Sequence, residues 1–536
     1  MRRRPRLLTR LEDAVLGLVQ RIRPLERLIN RLAINALVAR VPPRPNPLST
    51  MAPYTSWASL TDRTWSGRHL PPVAPNAARP ATTKEGPPTI DAVAQLFARD
   101  GEMILCPKST MLFTCFAQWF TDGFLRTDRT AAPGQLRNTR KNESSHEIDL
   151  AQLYGLSTPM TNPPRTSPPP TDPPMTQQLR ADRGLLKSQP INGEEYPEYL
   201  CRDGQVKPEF DHLLPAFGFE HLTVEQKNAL FAVGSDTRNL GFIAFNVLFL
   251  REHNRIARLL DQEYPEWDSD RIFATTRNIL IAVLIKIVVE EYINHINPSP
   301  FRFRLAPESF TKERWYRTNW MAIEFNLLYR WHSLVPSTFE LGGRKLTIEE
   351  SLSNTGALTS IGLGAFMTAA SNEPAGRIGL FNTDPVLVEM AEKPSIEQGR
   401  VAALRSYNDY RSYCGHPRVK SFRELSSDPR VQDGLAALYD SVDDIEFYVG
   451  LFAEDSGPND VLPPLVMTMV AFDAFSQALT NPLAAPRIFN EEKTFSAVGL
   501  EIIKNTERIS DLVHRNVPQS TEPSFISLTR RGYRRV

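Results

Sequence analysis

IEFNLLYRWHSLVPSTF, residues 323–339, is the stretch on which the reading of this chain turns. Tyr329 precedes His332 by three residues, and on a helix that spacing puts the phenol and the imidazole on one face. A neutral imidazole can be the single axial ligand of a haem. A tyrosine beside the porphyrin edge can lose an electron to an oxidised haem and become a radical. The same two residues also suit a core tyrosine beside a structural histidine, so the pair alone leaves both readings open.

The rest of the chain narrows the chemistry. His69, His146, His212, His221, His253, His295, His416 and His514 form no i,i+4 pair with one another or with His332. HExxH, GxSxG, a P-loop and GxGxxG are all absent, which removes most common hydrolases, kinases and nicotinamide enzymes. A lone histidine is ordinarily structural. Cys106, Cys115, Cys201 and Cys414 contain no CxxC pair and are too scattered for a disulfide framework or a zinc ribbon. A reducing, cytoplasmic compartment fits them.

The 536 residues are 41% hydrophobic, enough to bury a large core. Lys and Arg total 62 against 61 acids, for a net charge of +1, so no nucleic-acid partner is expected. No run reaches the ~18 apolar residues of a membrane span. The two best runs, 240–250 and 279–289, carry Asn246 and Lys286 and read as core helices. Period-2 alternation appears only in FRFRL, residues 301–305, so the class is mainly α. Helical patterns cover 222–264, 267–294, 307–334, 345–370, 384–391, 396–410, 433–439, 459–480 and 496–514. Upstream, residues 88–128 read as a helical start, strongest over MLFTCFAQWFTDGFLRT.

Residues 1–44 hold eleven arginines against Glu12, Asp13 and Glu26. Their apolar positions recur at helical spacing, and Pro24 divides them into two short helices. Arg-rich amphipathic helices suit the surface of an anionic bilayer, and an arm packed on the body is the other reading. Residues 45–87 read as a Pro-rich connector, 88–518 as the main domain and 519–536 as a basic tail. Within the domain, residues 157–174 hold eight prolines and read as an exposed loop.

The opening stretch resembles the proximal helix of the cyclooxygenases, within the animal-type haem peroxidase and fatty-acid dioxygenase superfamily. FAQWFTDGFLRTD (116–128) resembles the family's distal helix, and residues 249–296 its long central pair. Residues 420–454 and KTFSAVGLEIIKNT (493–506) resemble its C-terminal half. The resemblance runs in order from about residue 20 to 515. It implies a mainly helical haem domain behind a short membrane-binding segment. It also implies haem b as cofactor and an unsaturated fatty acid, O2 and a peroxide as reactants. A peripheral membrane location and a homodimer are further expectations.

Carried over position by position, the resemblance makes His332 the axial iron ligand and Tyr329 the tyrosine whose radical takes hydrogen from the fatty acid. It makes Gln118 the distal glutamine. Ser476, Ile293, Phe325, Leu328 and Trp331 fall at walls of the substrate channel. The chain departs from the family at three places. The distal histidine position holds Asp122, followed by Gly123 where calcium-binding relatives carry an aspartate. The arginine that clamps the substrate carboxylate aligns with Asn35 and its partner tyrosine with Ser299, leaving Arg31 or Arg40 as substitutes. Asp149 is kept, but Ala151 replaces a serine, so no calcium site is expected. Three functions remain open: fatty-acid dioxygenase, peroxidase of small donors, and a haem-binding, membrane-associated protein that has lost catalysis.

Overall fold

A computed structural model describes residues 15–39, 48–73, 87–127, 139–156, 174–216, 222–234, 239–317, 320–489, 492–518, 523 and 525–535. The Pro-rich stretch up to residue 173 lies outside them, as do His221, Arg40 and the first fourteen residues.

Two long antiparallel helices form the centre. Leu240–Glu263 starts where the Asn239 side chain accepts from the Phe242 amide, and Ser269–Ile287 starts on Asp268 in the same way. Some of the polar groups inside are paired. Trp119 Nε1 donates to Asn246 Oδ1 at 2.9 Å. Lys286 Nζ donates to the carbonyls of Ile503 and Lys504, at 3.0 and 2.7 Å, and so closes the end of the helix Glu492–Lys504. The helical stretch Ser269–Ile296 is long and apolar enough by composition to cross a membrane, but 78% of its apolar window is buried in the protein. Arg277 and Lys286 break the apolar run in the sequence without breaking the helix.

That stretch widens into a π-turn at Val288–Ile293. Its Glu291 accepts from the Ile509 amide at 2.7 Å, and burial pushes its carboxyl from 4.5 up to about 7. Between those two values the unfolded chain ionises and the folded one resists, so stability falls as pH rises through this window. Glu291→Gln is expected to flatten that dependence. It should match the parent near pH 4 and exceed it at pH 8 by up to about 3 kcal/mol in urea unfolding. Equal midpoints at pH 8 would contradict this.

Among the described residues, sheet is confined to four two-stranded antiparallel ribbons. Three of them turn on Asn192-Gly193, Asp203-Gly204 and Gly342-Gly343, each pair at positive φ as a two-residue hairpin requires. FRFRL is no strand. Phe301 and Phe303 are buried with Arg302 and Arg304 outward, but two asparagine side chains stand where a neighbouring strand would be. Asn294 exchanges hydrogen bonds with the Phe303 amide and carbonyl. Asn30 does the same with Arg304. Several expected helices are also shorter. Among the described residues, 222–264 holds the helices Val224–Asn228 and Leu240–Glu263, and 307–334 holds only Pro307–Phe310, Ile323–Leu328 and a 3-10 turn at His332–Leu334.

The arm helix Arg23–Val38 buries Asn30, Ile34 and Val38 against the body, next to the helix Pro464–Leu479. Its opposite stripe, Leu25, Leu28 and Leu32, stays exposed, as do Val15, Leu18 and Ile22 before it. The expected connector is partly body: Arg68 and His69 are buried, and Gly67 bridges to Ala322. The tail is no free appendage. Thr110 N donates to the Leu528 carbonyl and Arg530 N to that of Lys108, which lays the tail along the strand Leu105–Thr110.

Candidate active site

The helix Met111–Asp122 is apolar almost all round, and nine of its twelve residues are buried. Gln118 is the exception, being exposed, and Asp122 follows it at i+4 half-buried. Polar residues survive on such a helix only where they meet water or a ligand. Here they meet a cavity of about 400 Å³, which both line together with Met111, Thr114 and Thr121. Residues 329–332, Tyr-Arg-Trp-His, line the same cavity, as do Leu387, Met390 and Ala391. Gln118, Asp122, Tyr329, Trp331 and His332, brought together on family resemblance, thus face one space.

Tyr329 and His332 do not share a helix. The helix ends at Leu328, and Trp331 lies outside helical angles. The rings of Tyr329 and Trp331 stack at 4.7 Å, with 29° between planes. Residues two apart on a helix point away from each other, so this stack requires the chain to leave the helix there. Trp331 in turn stacks on Phe113, and Phe325 meets Tyr329 edge-on at 5.0 Å.

The Tyr329 hydroxyl is buried and makes no well-formed hydrogen bond. Burial pushes its pKa up, against a smaller downward effect from the hydroxyl of Tyr292, which faces it as donor. The phenol is therefore neutral, and losing an electron obliges it to lose its proton. Tyr292, on the π-turn, is a neighbour that local sequence pattern does not reveal.

Ile293, Phe325, Leu328 and Ser476 are buried but are not in the cavity wall. They lie behind Tyr329, where Pro464–Leu479 packs against both Ile323–Leu328 and the π-turn. The Ser476 hydroxyl donates to the Asp473 carbonyl at 2.9 Å.

The departures also have structural settings. Asp122 lies 3.7 Å from the buried guanidinium of Arg126. Asn35 accepts from Trp315 Nε1, Ser299 accepts from the Phe301 amide, and Arg31 pairs with Glu313 at 3.0 Å. Asp149 accepts from the Ser145 hydroxyl and the Ala151 amide in a local turn. Other histidines pin the core: His253 donates to the Gly184 carbonyl while accepting from Tyr154, and His69 bonds Asp473 at 2.8 Å. All four cysteines are buried, and none is in a disulfide among the described residues.

The animal haem peroxidase profile matches residues 67–525. This chain belongs to the animal haem peroxidase family. It is 32% identical over 470 residues to prostaglandin G/H synthase 2 of Equus caballus, covering 87% of this chain and 72% of that one. It is 32% identical over 490 residues to prostaglandin G/H synthase 1 of Rattus norvegicus, covering 90% and 76%. In fold it is similar to the fatty acid alpha-dioxygenase of Arabidopsis thaliana, with TM-score 0.65 and 16% identity over 98% of this chain and 93% of that one. Peroxidase A of Dictyostelium discoideum gives the same TM-score at 18% identity, over 87% and 96%. The haem peroxidase is an oxidoreductase, and its cofactor is haem. The lining fits that group: an imidazole, an amide and a carboxylate all border the one cavity. Trp331 Nε1, on a residue of the wall, has no hydrogen-bond partner among the described residues, and the Tyr329 hydroxyl has no well-formed one.

Proposed function

We propose that this haem peroxidase is a fatty-acid dioxygenase holding haem b through His332, with Tyr329 as the residue that abstracts hydrogen from an unsaturated fatty acid. The observation that supports it is Tyr329 itself. It is a neutral phenol that lines the same cavity as His332, with its buried hydroxyl in no well-formed hydrogen bond. When bound, haem supplies the redox chemistry, drawing an oxidant's power from a peroxide. His332 holds it from one side. Gln118 orients the peroxide on the other, and Asp122 takes and returns its proton. Tyr329 gives up an electron and a proton and then recovers a hydrogen atom from a bis-allylic carbon of the substrate. O2 adds to the carbon radical left behind, and the peroxyl radical takes a hydrogen atom back from Tyr329, giving the hydroperoxide and restoring the tyrosyl radical. The packed apolar side chains Ile293, Phe325 and Leu328 align the chain and keep water from it. Oxygen uptake by the haem-loaded protein across a panel of unsaturated fatty acids tests the reading; no uptake with any of them would sink it.

Peroxidation of small donors is the second reading, favoured because the cavity wall ends at Tyr329 and leaves Ser476 outside. Asp122 governs that activity. Splitting a peroxide needs a base that takes a proton and returns it, and histidine does this near neutral pH. Asp122→His is expected to raise small-donor oxidation about tenfold or more, part of the ~10²–10⁴ a positioned base supplies. No gain with haem still bound would remove Asp122 from the peroxide's reach.

The arm is proposed to rest on an anionic membrane surface, which places the protein at the cytoplasmic face of a bilayer. The exposed stripe Leu25, Leu28 and Leu32 supports this, with Arg23 and Arg27 exposed beside it. Changing those three leucines to serine is expected to abolish sedimentation with phosphatidylserine vesicles and leave thermal unfolding unchanged. Parent binding should weaken with salt, since charge is screened over ~8–10 Å. Undiminished binding by the serine variant would exclude the stripe as the contact.

A further inference from the structure

The helix that backs His332 is not regular. It runs from Pro385 to Val401 through a π-turn at Val388–Glu392. Pro394 accounts for the turn: it has no amide to donate, and its ring crowds the carbonyl one turn earlier. Widening the helix by one residue relieves that crowding and re-aims the side chains of the turn. Met390 and Ala391 consequently line the cavity. Glu392, the last residue of the turn, is turned inward and is 1% exposed.

A buried carboxylate must be met by donors or a cation. Two donors are neutral. Thr383 donates to Oε1 at 3.0 Å and Tyr448 to Oε2 at 2.5 Å. The third group is His332, whose Nδ1 lies 3.1 Å from Oε1. His332 is the one ion-pairing partner of Glu392 among the described residues. The approach has the length of a hydrogen bond without its angle, since Nδ1 makes no well-formed bond as the ring stands. Rotation of the ring about Cβ–Cγ supplies the angle.

We propose that Glu392 is the positioning residue of His332: it accepts the Nδ1–H, fixes the tautomer with Nε2 free for iron, and strengthens the imidazole as a ligand. The inference rests on His332 being the haem ligand. A carboxylate on the far nitrogen of a ligating histidine orients the ring and raises its basicity. A more basic imidazole donates more density to the iron and favours the ferric state, so the reduction potential falls and the iron–histidine bond stiffens. Oxidation by peroxide starts from the ferric state, so Glu392 acts on the first step without touching a reactant.

The test uses the haem-loaded full chain and reads resonance Raman and potentiometry besides activity. Glu392→Gln keeps size and an acceptor oxygen but removes the charge. It is expected to lower the ferrous iron–histidine stretching frequency, raise the midpoint potential and weaken haem binding about tenfold. Tyr448→Phe removes a donor that competes for the same carboxylate, and should move frequency and potential the opposite way. Opposite shifts separate positioning from packing, because a merely structural glutamate would move both variants in one direction. Unchanged frequency and potential in Glu392→Gln, or shifts of the same sign in both variants, overturn the proposal. If Glu392→Gln fails to fold, Tyr448→Phe still decides it: no shift there overturns it. Failure of the underlying assignment looks different: His332→Ala would then keep the parent spectrum.

Discussion

Oxygen uptake with an unsaturated fatty acid falls to background in Tyr329→Phe, while the haem spectrum stays that of the parent. Phenylalanine keeps the ring that stacks on Trp331 at 4.7 Å and meets Phe325 at 5.0 Å. Only the hydroxyl goes. That hydroxyl is buried and makes no well-formed bond, so removing it relieves one desolvated polar group while taking from the Tyr292 hydroxyl the group it faces. Thermal unfolding should be unchanged or slightly later. The functional loss is of another order, because a phenyl ring has no O–H hydrogen to give up and recover. Uptake at the parent rate would show that the haem attacks the substrate directly, and would favour the peroxidase reading.

The other large effect is expected at His332. Its replacement by alanine removes the one imidazole in the cavity wall. Loss of a second-shell partner costs a metal site about 10–100-fold in affinity, so loss of the ligand itself should cost more than about 100-fold. Titration with haem, followed at the Soret band, reads this directly. A parent-like band and affinity in His332→Ala would mean that another group binds the iron.

The site was legible to different depths. Gln118, Asp122, Tyr329, Trp331 and His332 lie in two contiguous segments, and the helix and turn that carry them bring all five to one cavity. What resemblance did not reveal was the local geometry. Tyr329 and His332 were read on one helix face, yet the aromatic stack of Tyr329 on Trp331 pulls the chain out of helix. Glu392 left a single trace, Pro394 two residues on, in a segment read as two helices with a gap. The helix runs on through that gap, and the π-turn at Val388–Glu392 lies mostly just before it, a form that helical periodicity does not encode. Tyr292 reaches Tyr329 only through tertiary packing. The three hairpins were announced by Asn-Gly, Asp-Gly and Gly-Gly, but their strands are too short for alternation to show. In FRFRL alternation does show, and it misleads because side-chain amides from Asn294 and Asn30 replace the neighbouring strand.

The tail along the strand Leu105–Thr110 bears on how the molecule is made. Thr110 Oγ1 donates to the Ser527 carbonyl across 417 residues. Beside it, His295 bonds Ser109 on one nitrogen and Thr529 on the other. Thr110 is also the residue that leads into the helix carrying Gln118 and Asp122. During synthesis the chain emerges at about 5–20 residues per second, so that helix waits tens of seconds for the segment that pins its base. Contacts of such long separation form late and slowly. A ribosome-bound fragment lacking residues 527–530 therefore carries every residue that lines the cavity, with its helix held at Met111 by the Glu373 carbonyl but not yet by the tail.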